Sequence, residues 1–189
     1  MSFKDIDVGG AQMESTWVKH DNREGKGFFC GDDDVGEINF VADFPACKIG
    51  WGKYDNKTYF KEWQENISTP HAKESELKVH GYKRAFQLYL YSSDKGVKLW
   101  ERDSAMEWSG FLEIAKAYEN DKANRGDKLP VIGYEGAEGV DTKNGKFYKP
   151  VFKVKGWVDR PTEFIVPSDT FEVNETEERT GLTEEDLPF

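Results

Sequence analysis

The sequence predicts a mainly β protein: a five- to six-stranded barrel with one α-helix at about 104–120, followed by a disordered acidic tail. Three observations predict it. Apolar and polar residues alternate along several stretches separated by Gly-, Asn- and Asp-containing turns, the period-two signature of half-buried strands. Only the segment from Ser104 carries apolar residues at helical spacing. Charge is also segregated: from Glu163 onward nine acids stand against one base, −8 of the −10 carried by the 189 residues. Such a segment cannot bury enough apolar surface to fold alone.

In chain order, residues 1–15 form a flexible lead-in, 16–161 the domain and 162–189 the acidic tail. A short strand is expected at 16–19, a turn at 25–27 and a solvated acidic turn at Gly31-Asp32-Asp33-Asp34. Residues 37–53 read as one long, kinked strand. Ile38, Phe40, Ala42 and Phe44 share a face, Pro45 interrupts, and Cys47, Ile49 and Trp51 resume in the opposite phase. A phase flip around a proline marks a bulge or bend, and it makes Trp51 core. A turn at 53–57 leads to a strand at 58–63 with Phe60 inward, and 64–77 reads as irregular. The strand 78–91 points Phe86, Leu88 and Leu90 inward, and a turn at 92–96 joins it to 97–102.

Ser104-Ala105-Met106-Glu107 is a capping box, in which the serine accepts from the third amide and the glutamate reaches back. Trp108, Phe111, Leu112, Ala115 and Tyr118 form the stripe that packs the helix on the sheet. A strand follows at 129–134, then a loop at 136–139, an Asn144-Gly145 hairpin turn and a last strand at 146–158. Three strands, a helix and two strands is the element order of an OB-fold, here with one extra hairpin.

The rings carry the functional expectation. Six Trp, eight Tyr and thirteen Phe make 14% of the chain aromatic, more than one core of this size requires. Opposite the apolar positions, alternation places Lys83, Gln87, Tyr89 and Tyr91 on the outer face of one strand and Lys98, Trp100 and Arg102 on that of the next. It adds Lys149, Lys153, Lys155 and Trp157 from the last strand and Tyr59, Lys61 and Trp63 from the short one. The turns contribute Lys53, Tyr54, Lys57, Lys143 and Lys146. Rings stack on unpaired bases and cations track phosphates, which is what binding a single strand requires. A carbohydrate-binding module and a phage structural or assembly protein are the alternatives.

Nothing in the sequence points to catalysis, a metal or a cofactor. His20, His71 and His80 are isolated and read as surface residues; Cys30 and Cys47 have no neighbouring His or Cys. No glycine-rich loop ends in Lys-Ser/Thr. A mean hydropathy of −0.77 and the lack of an apolar run of ~20 residues give no membrane span. The start has no apolar leader core, so a cytoplasmic protein is expected.

The chain closes on Glu184-Glu185-Asp186-Leu187-Pro188-Phe189: three carboxylates, an aromatic plug and a terminal carboxylate, which suit a basic pocket with an apolar slot. This tip resembles that of bacterial and phage single-stranded DNA-binding proteins, which end in an acidic arm closing on Asp-(Ile/Leu)-Pro-Phe. The resemblance covers those last residues alone. It implies sequence-independent binding of single-stranded DNA by a phage or prophage protein in the cytoplasm of a bacterial host. It also implies that Glu184, Glu185, Asp186, Leu187, Pro188 and Phe189 dock replication, recombination and repair enzymes and compete with DNA for the basic groove. Homo-oligomerisation is left open by the sequence.

Overall fold

The structure, a computed structural model, describes residues 17–165 except 26, 32, 37, 38, 57 and 65–70. The lead-in 1–15, Lys57 and residues 166–189 with their acidic tip lie outside the described residues. Within them the protein is mainly β, as the alternation predicts. The strands are β1 (Val18–His20), β2 (Phe28–Cys30), β3 (Asp33–Asp34), β4 (Asn39–Ala42), β5 (Lys48–Asp55), β6 (Thr58–Trp63), β7 (Lys83–Ser92), β8 (Gly96–Arg102), β9 (Leu129–Thr142) and β10 (Gly145–Val158). Helix α2 (Ala105–Asn120) is the long helix expected at 104–120, flanked in the chain by the short α1 (Glu74–Val79) and α3 (Lys122–Arg125). Alternation missed β2 and β3 because two or three residues are too short to show a period. It read 64–77 as irregular, whereas α1 begins at Glu74, and it read 136–139 as a loop although both glycines lie within β9.

Strand β7 is the spine. One edge pairs antiparallel with β8 along Phe86–Ser92, and the other pairs with β5 through Lys83–Gln87 and with β4 through Leu90 and Tyr91. Between β4 and β5 the chain leaves the ladder as a 3₁₀ turn, Phe44–Ala46. Pro45 has no N–H to give a ladder, so the chain coils there and rejoins β7 in the opposite phase. The expected kink is therefore a turn, with Phe40 and Ala42 before it and Ile49 and Trp51 after it all on the inner face. β6 extends the sheet beyond β5, and β9 and β10 extend it beyond β4.

The small sheet β1-β2-β3 closes over the core. Trp17 bridges Leu99 of β8, and the Tyr148 N–H of β10 donates to the Asn22 carbonyl at 2.8 Å. These single contacts, without a continuous ladder, bring the sheet round into a barrel-like curl; among the described residues no barrel is closed. Inside it, Phe86 stacks on Phe111 of α2 at 4.3 Å, and Trp100 meets Phe86 edge-on at 4.8 Å. Phe28 of β2 packs edge-on against Trp100 and Phe152. Phe60, expected inward, is instead half exposed, because the β5–β6 hairpin runs past the edge of this core.

The helix start departs from a simple capping box. Ser104 Oγ accepts from the Glu107 N–H at 3.4 Å as expected. The Glu107 carboxylate, 1% exposed, accepts instead from the His20 N–H (3.0 Å), Trp100 Nε1 (3.1 Å), Arg102 Nε (3.3 Å) and Asn22 Nδ2 (3.2 Å). His20, expected on the surface, is 5% exposed, with Nδ1 2.9 Å from Asn22 Oδ1 and Nε2 3.1 Å from the Tyr134 hydroxyl.

Gly110 sets how closely α2 approaches β10: a Cβ there would sit 2.7 Å from the Pro150 carbonyl oxygen. Alanine is the better helix former by ~1 kcal/mol, but forced overpacking costs ~1–3 kcal/mol. Gly110→Ala is therefore expected to lower the urea midpoint with an unchanged m-value, whereas a raised midpoint would show that the helix can move away.

Candidate nucleic-acid interface

Cross-strand partners share a face, and the β7–β8 register corrects the outer face assigned to β8. Phe86, Leu88 and Leu90 stand opposite Arg102, Trp100 and Lys98, so these three point inward. Trp100 is 0% exposed, Lys98 is buried and Arg102 is tied to Glu107. Val97 and Leu99, read as core because they are aliphatic, lie outside opposite Tyr91 and Tyr89. Trp157 is likewise on the helix side, 6.3 Å from Tyr118, after a bulge between Val154 and Gly156 shifts the phase of β10. Lys149 also turns toward the helix, where Glu113 (2.7 Å) and Glu138 (2.8 Å) hold it and raise its ammonium pKa.

Six expected residues do share one outer surface: Tyr59, Lys61 and Trp63 of β6 with Lys83, Tyr89 and Tyr91 of β7. Between them β5 offers glycine, and the Tyr59 hydroxyl occupies the place a Cβ on Gly52 would take. Burial, with Asp103 and Glu101 nearby, pushes the Tyr59 phenol well above its ordinary pKa. Lys61 lies 5.6 Å from the Tyr59 ring centre and 5.9 Å from that of Trp63. Its ammonium is nonetheless committed to Glu101 at 2.7 Å. Tyr91 donates to Glu163 at 2.7 Å.

Other expected cations are also engaged, Lys53 with Asp55 (3.3 Å) and Lys155 with Glu135. Lys146 stands 5.6 Å over the Tyr148 ring and Lys153 is exposed; neither makes an ion pair among the described residues. Tyr54, 67% exposed, crowns the β5–β6 hairpin.

Four other cations converge elsewhere. A pocket of about 860 Å³ opens beside the start of α2, between β1, the first residue of β7 and the β9–β10 hairpin tip. Lys19, Arg23, Lys83 and Lys143 line it, and none of these side chains makes an ion pair among the described residues. Phe29 and Phe147 supply rings, and Ser104 and Met106 bring the positive end of the α2 dipole to its wall. Asp21 is the one acid among the described residues of the lining, and its carboxylate accepts from the Arg23 and Glu24 N–H groups, turning the chain so that Arg23 faces the pocket. Asn22 pins that turn to the helix through Ser104 Oγ at 2.8 Å and Glu107 Oε2 at 3.2 Å.

Lys83 and Lys143 were expected in an interface; Lys19, Arg23, Phe29 and Phe147 were not. Lys19 alternates with the buried Val18 and His20, a signal that three residues of strand carry too faintly to read.

Among the described residues, no group of three or more His, Cys, Asp or Glu side chains is placed to hold a metal ion, and no helix is long and apolar enough to cross a membrane. Cys47 is pushed to about 12 by burial and by Asp43, which leaves it a thiol at neutral pH. Comparison of the chain with protein-family models, curated proteins and solved structures finds no match.

Glu101 is the buried counter-ion that keeps Lys61 from a ligand. Glu101→Gln should release that ammonium, tighten binding of an oligonucleotide several-fold and steepen the dependence of log K on log salt by about one. An unchanged slope in a salt titration would show that Lys61 stays out of the interface.

Proposed function

We propose that the protein binds single-stranded DNA without sequence preference, as a phage or prophage protein acting in the cytoplasm of a bacterial host. Its work is binding, with no catalysed step. The observation that carries the reading is the convergence of four cations that make no ion pair among the described residues, two phenyl rings and a helix N-terminus in one open pocket, on a chain whose net charge is −10. Local positive charge on an acidic protein favours a polyanion at that place and repels it elsewhere. Phosphates engage the cations and release counter-ions, while unpaired bases lie against Phe29 and Phe147. A duplex keeps its base faces stacked and gains only the first of these terms.

A carbohydrate-binding module would present rings without the cations. A phage structural protein would use the surface for assembly into particles. The tip Glu184–Phe189 adds the second half of the proposal, recruitment of replication, recombination or repair enzymes.

The test is titration of a ~30-nucleotide poly(dT), followed by tryptophan fluorescence at several salt concentrations. Lys83→Ala, Arg23→Ala and Lys143→Ala should each weaken binding about three- to tenfold at every sequence and lower the salt slope by about one. Wild-type affinity in the triple variant would overturn the assignment, as would equal affinity for duplex.

A further inference from the structure

Strand β6 ends the large sheet, and its outer edge pairs with no strand among the described residues. One hydrogen bond decides which backbone groups lie on that edge. The Gln64 N–H donates to the Ile49 carbonyl at 2.8 Å, one step beyond the Gly50–Trp63 pair. Hydrogen-bonded and non-hydrogen-bonded pairs alternate along an antiparallel ladder, so Glu62, Phe60 and Thr58 are the residues that bond to β5. The tight turn at Asn56, with a φ of 46°, closes on the Asp55–Thr58 pair in the same phase. The N–H and C=O groups of Tyr59, Lys61 and Trp63 therefore point away from the sheet.

An edge of this kind is a template for another strand, and folded sheets blunt theirs with proline, bulges and charge. The other end strand, β10, carries Pro150 and a bulge between Val154 and Gly156. On β8 the chain returns to lay Trp17 against Leu99. β6 has no proline and an unbroken register. Its lysine, Lys61, is neutralised by Glu101 at 2.7 Å, so the charge that would guard the edge is spent within the fold. Phe60, on the face opposite Lys61, is 48% exposed.

We propose that this edge pairs with the same edge of a second copy of the chain, antiparallel about a two-fold axis through Phe60. The open backbone groups must meet one another, so Tyr59, Lys61 and Trp63 can stand opposite only residues of that same set, and the axis falls on a single residue. An axis at Lys61 sets two ammonium groups face to face, and one at Glu62 does the same with two carboxylates. Like charges directly opposite destabilise a pair. An axis at Tyr59 or Trp63 engages only one end of the strand.

With Phe60 on the axis, the two phenyl rings meet in the closer, non-hydrogen-bonded position and cover each other from water. Tyr59 stands opposite the second copy's Lys61, a ring beside a cation, and Thr58 opposite its Glu62. The Tyr59 and Lys61 backbone groups bond across the axis, and the two large sheets become one. None of Thr58, Tyr59, Phe60, Lys61 and Glu62 lines the basic pocket, so the pairing goes beyond the single-strand reading and does not depend on it.

Sedimentation equilibrium of the full chain without nucleic acid, across the micromolar range, tests the pairing. Wild type should show a monomer–dimer equilibrium. Phe60→Glu and Phe60→Lys should each weaken it about tenfold or more, through the lost ring contact and the like charges brought together. An equimolar mixture of the two should restore association, because a carboxylate and an ammonium then meet on the axis. Thermal unfolding of the dilute variants should match wild type, since Phe60 is half exposed. In wild type itself, the Tyr59 and Lys61 amides should gain protection from hydrogen exchange as concentration rises.

A monomer at every concentration overturns the proposal. So does a dimer that both variants leave intact, or exchange at Tyr59 and Lys61 that ignores concentration. Phe60→Lys associating more tightly than wild type would set residue 60 against the second copy's Glu62 and overturn the axis. Two monomeric variants whose mixture stays monomeric would overturn it as well.

Discussion

The site depends on one buried carboxylate. Taking Glu107 out of water costs several kcal/mol unless its oxygens are fully engaged, and here a guanidinium, an indole, an amide and a backbone N–H engage them. Those four donors belong to β1 and the turn after it, and to β8. The same carboxylate sits in the first turn of α2. It therefore fixes three elements against one another at the point where the small sheet closes over the core. With His20 held inside by that contact and by Tyr134, alternation along β1 leaves Lys19 and Trp17 outside. Asn22, in the same network, anchors the turn that presents Arg23. The basic pocket is thus the outer side of a buried polar knot.

The division of labour among cations follows from what each has beside it. Lys61, Lys149, Lys155, Arg102 and Arg160 face carboxylates within the fold and serve it. Lys155–Glu135, open on both sides, contributes little to stability, but every one of these pairs removes a charge from the set a phosphate can recruit. Lys19, Arg23, Lys83 and Lys143 make no ion pair among the described residues, and they line one pocket beside the start of α2. The charge of the whole chain hides this, because an acidic total says nothing about where positive charge is left unpaired.

Much of the fold was legible because period two is a strong signal in long strands. β7 showed Phe86, Leu88 and Leu90 plainly, Pro45 announced the break between β4 and β5, Asn144-Gly145 placed the last hairpin, and the Ser104 start of α2 was placed correctly. The outer face was legible on β7, where Phe86, Leu88 and Leu90 mark the core, and on β6, whose outward set Tyr59, Lys61 and Trp63 holds although Phe60 is half exposed. It failed on β8, where Trp100 fills the interior and Leu99 faces out. A tryptophan whose indole N–H has a buried acceptor is core material, and that acceptor, Glu107, is fixed by tertiary packing that alternation cannot see. It failed again at Trp157, where a bulge changed the phase. Lys19, Arg23 and Phe29 were missed because they come from a three-residue strand, a turn and another three-residue strand, joined only by the closure of the barrel-like sheet.

In the proposed reading, the pocket cations that make no ion pair among the described residues, and not the ion-paired lysines of the sheet, meet the nucleic acid. Lysine acetylation of the folded chain with and without poly(dT), read residue by residue in a mass spectrometer, tests it most directly. Protection of Lys19, Lys83 and Lys143 on adding the strand, with Lys149 and Lys155 unchanged, is the expected result. Protection confined to Lys149, Lys153 and Lys155, with the pocket lysines as reactive as before, would contradict it.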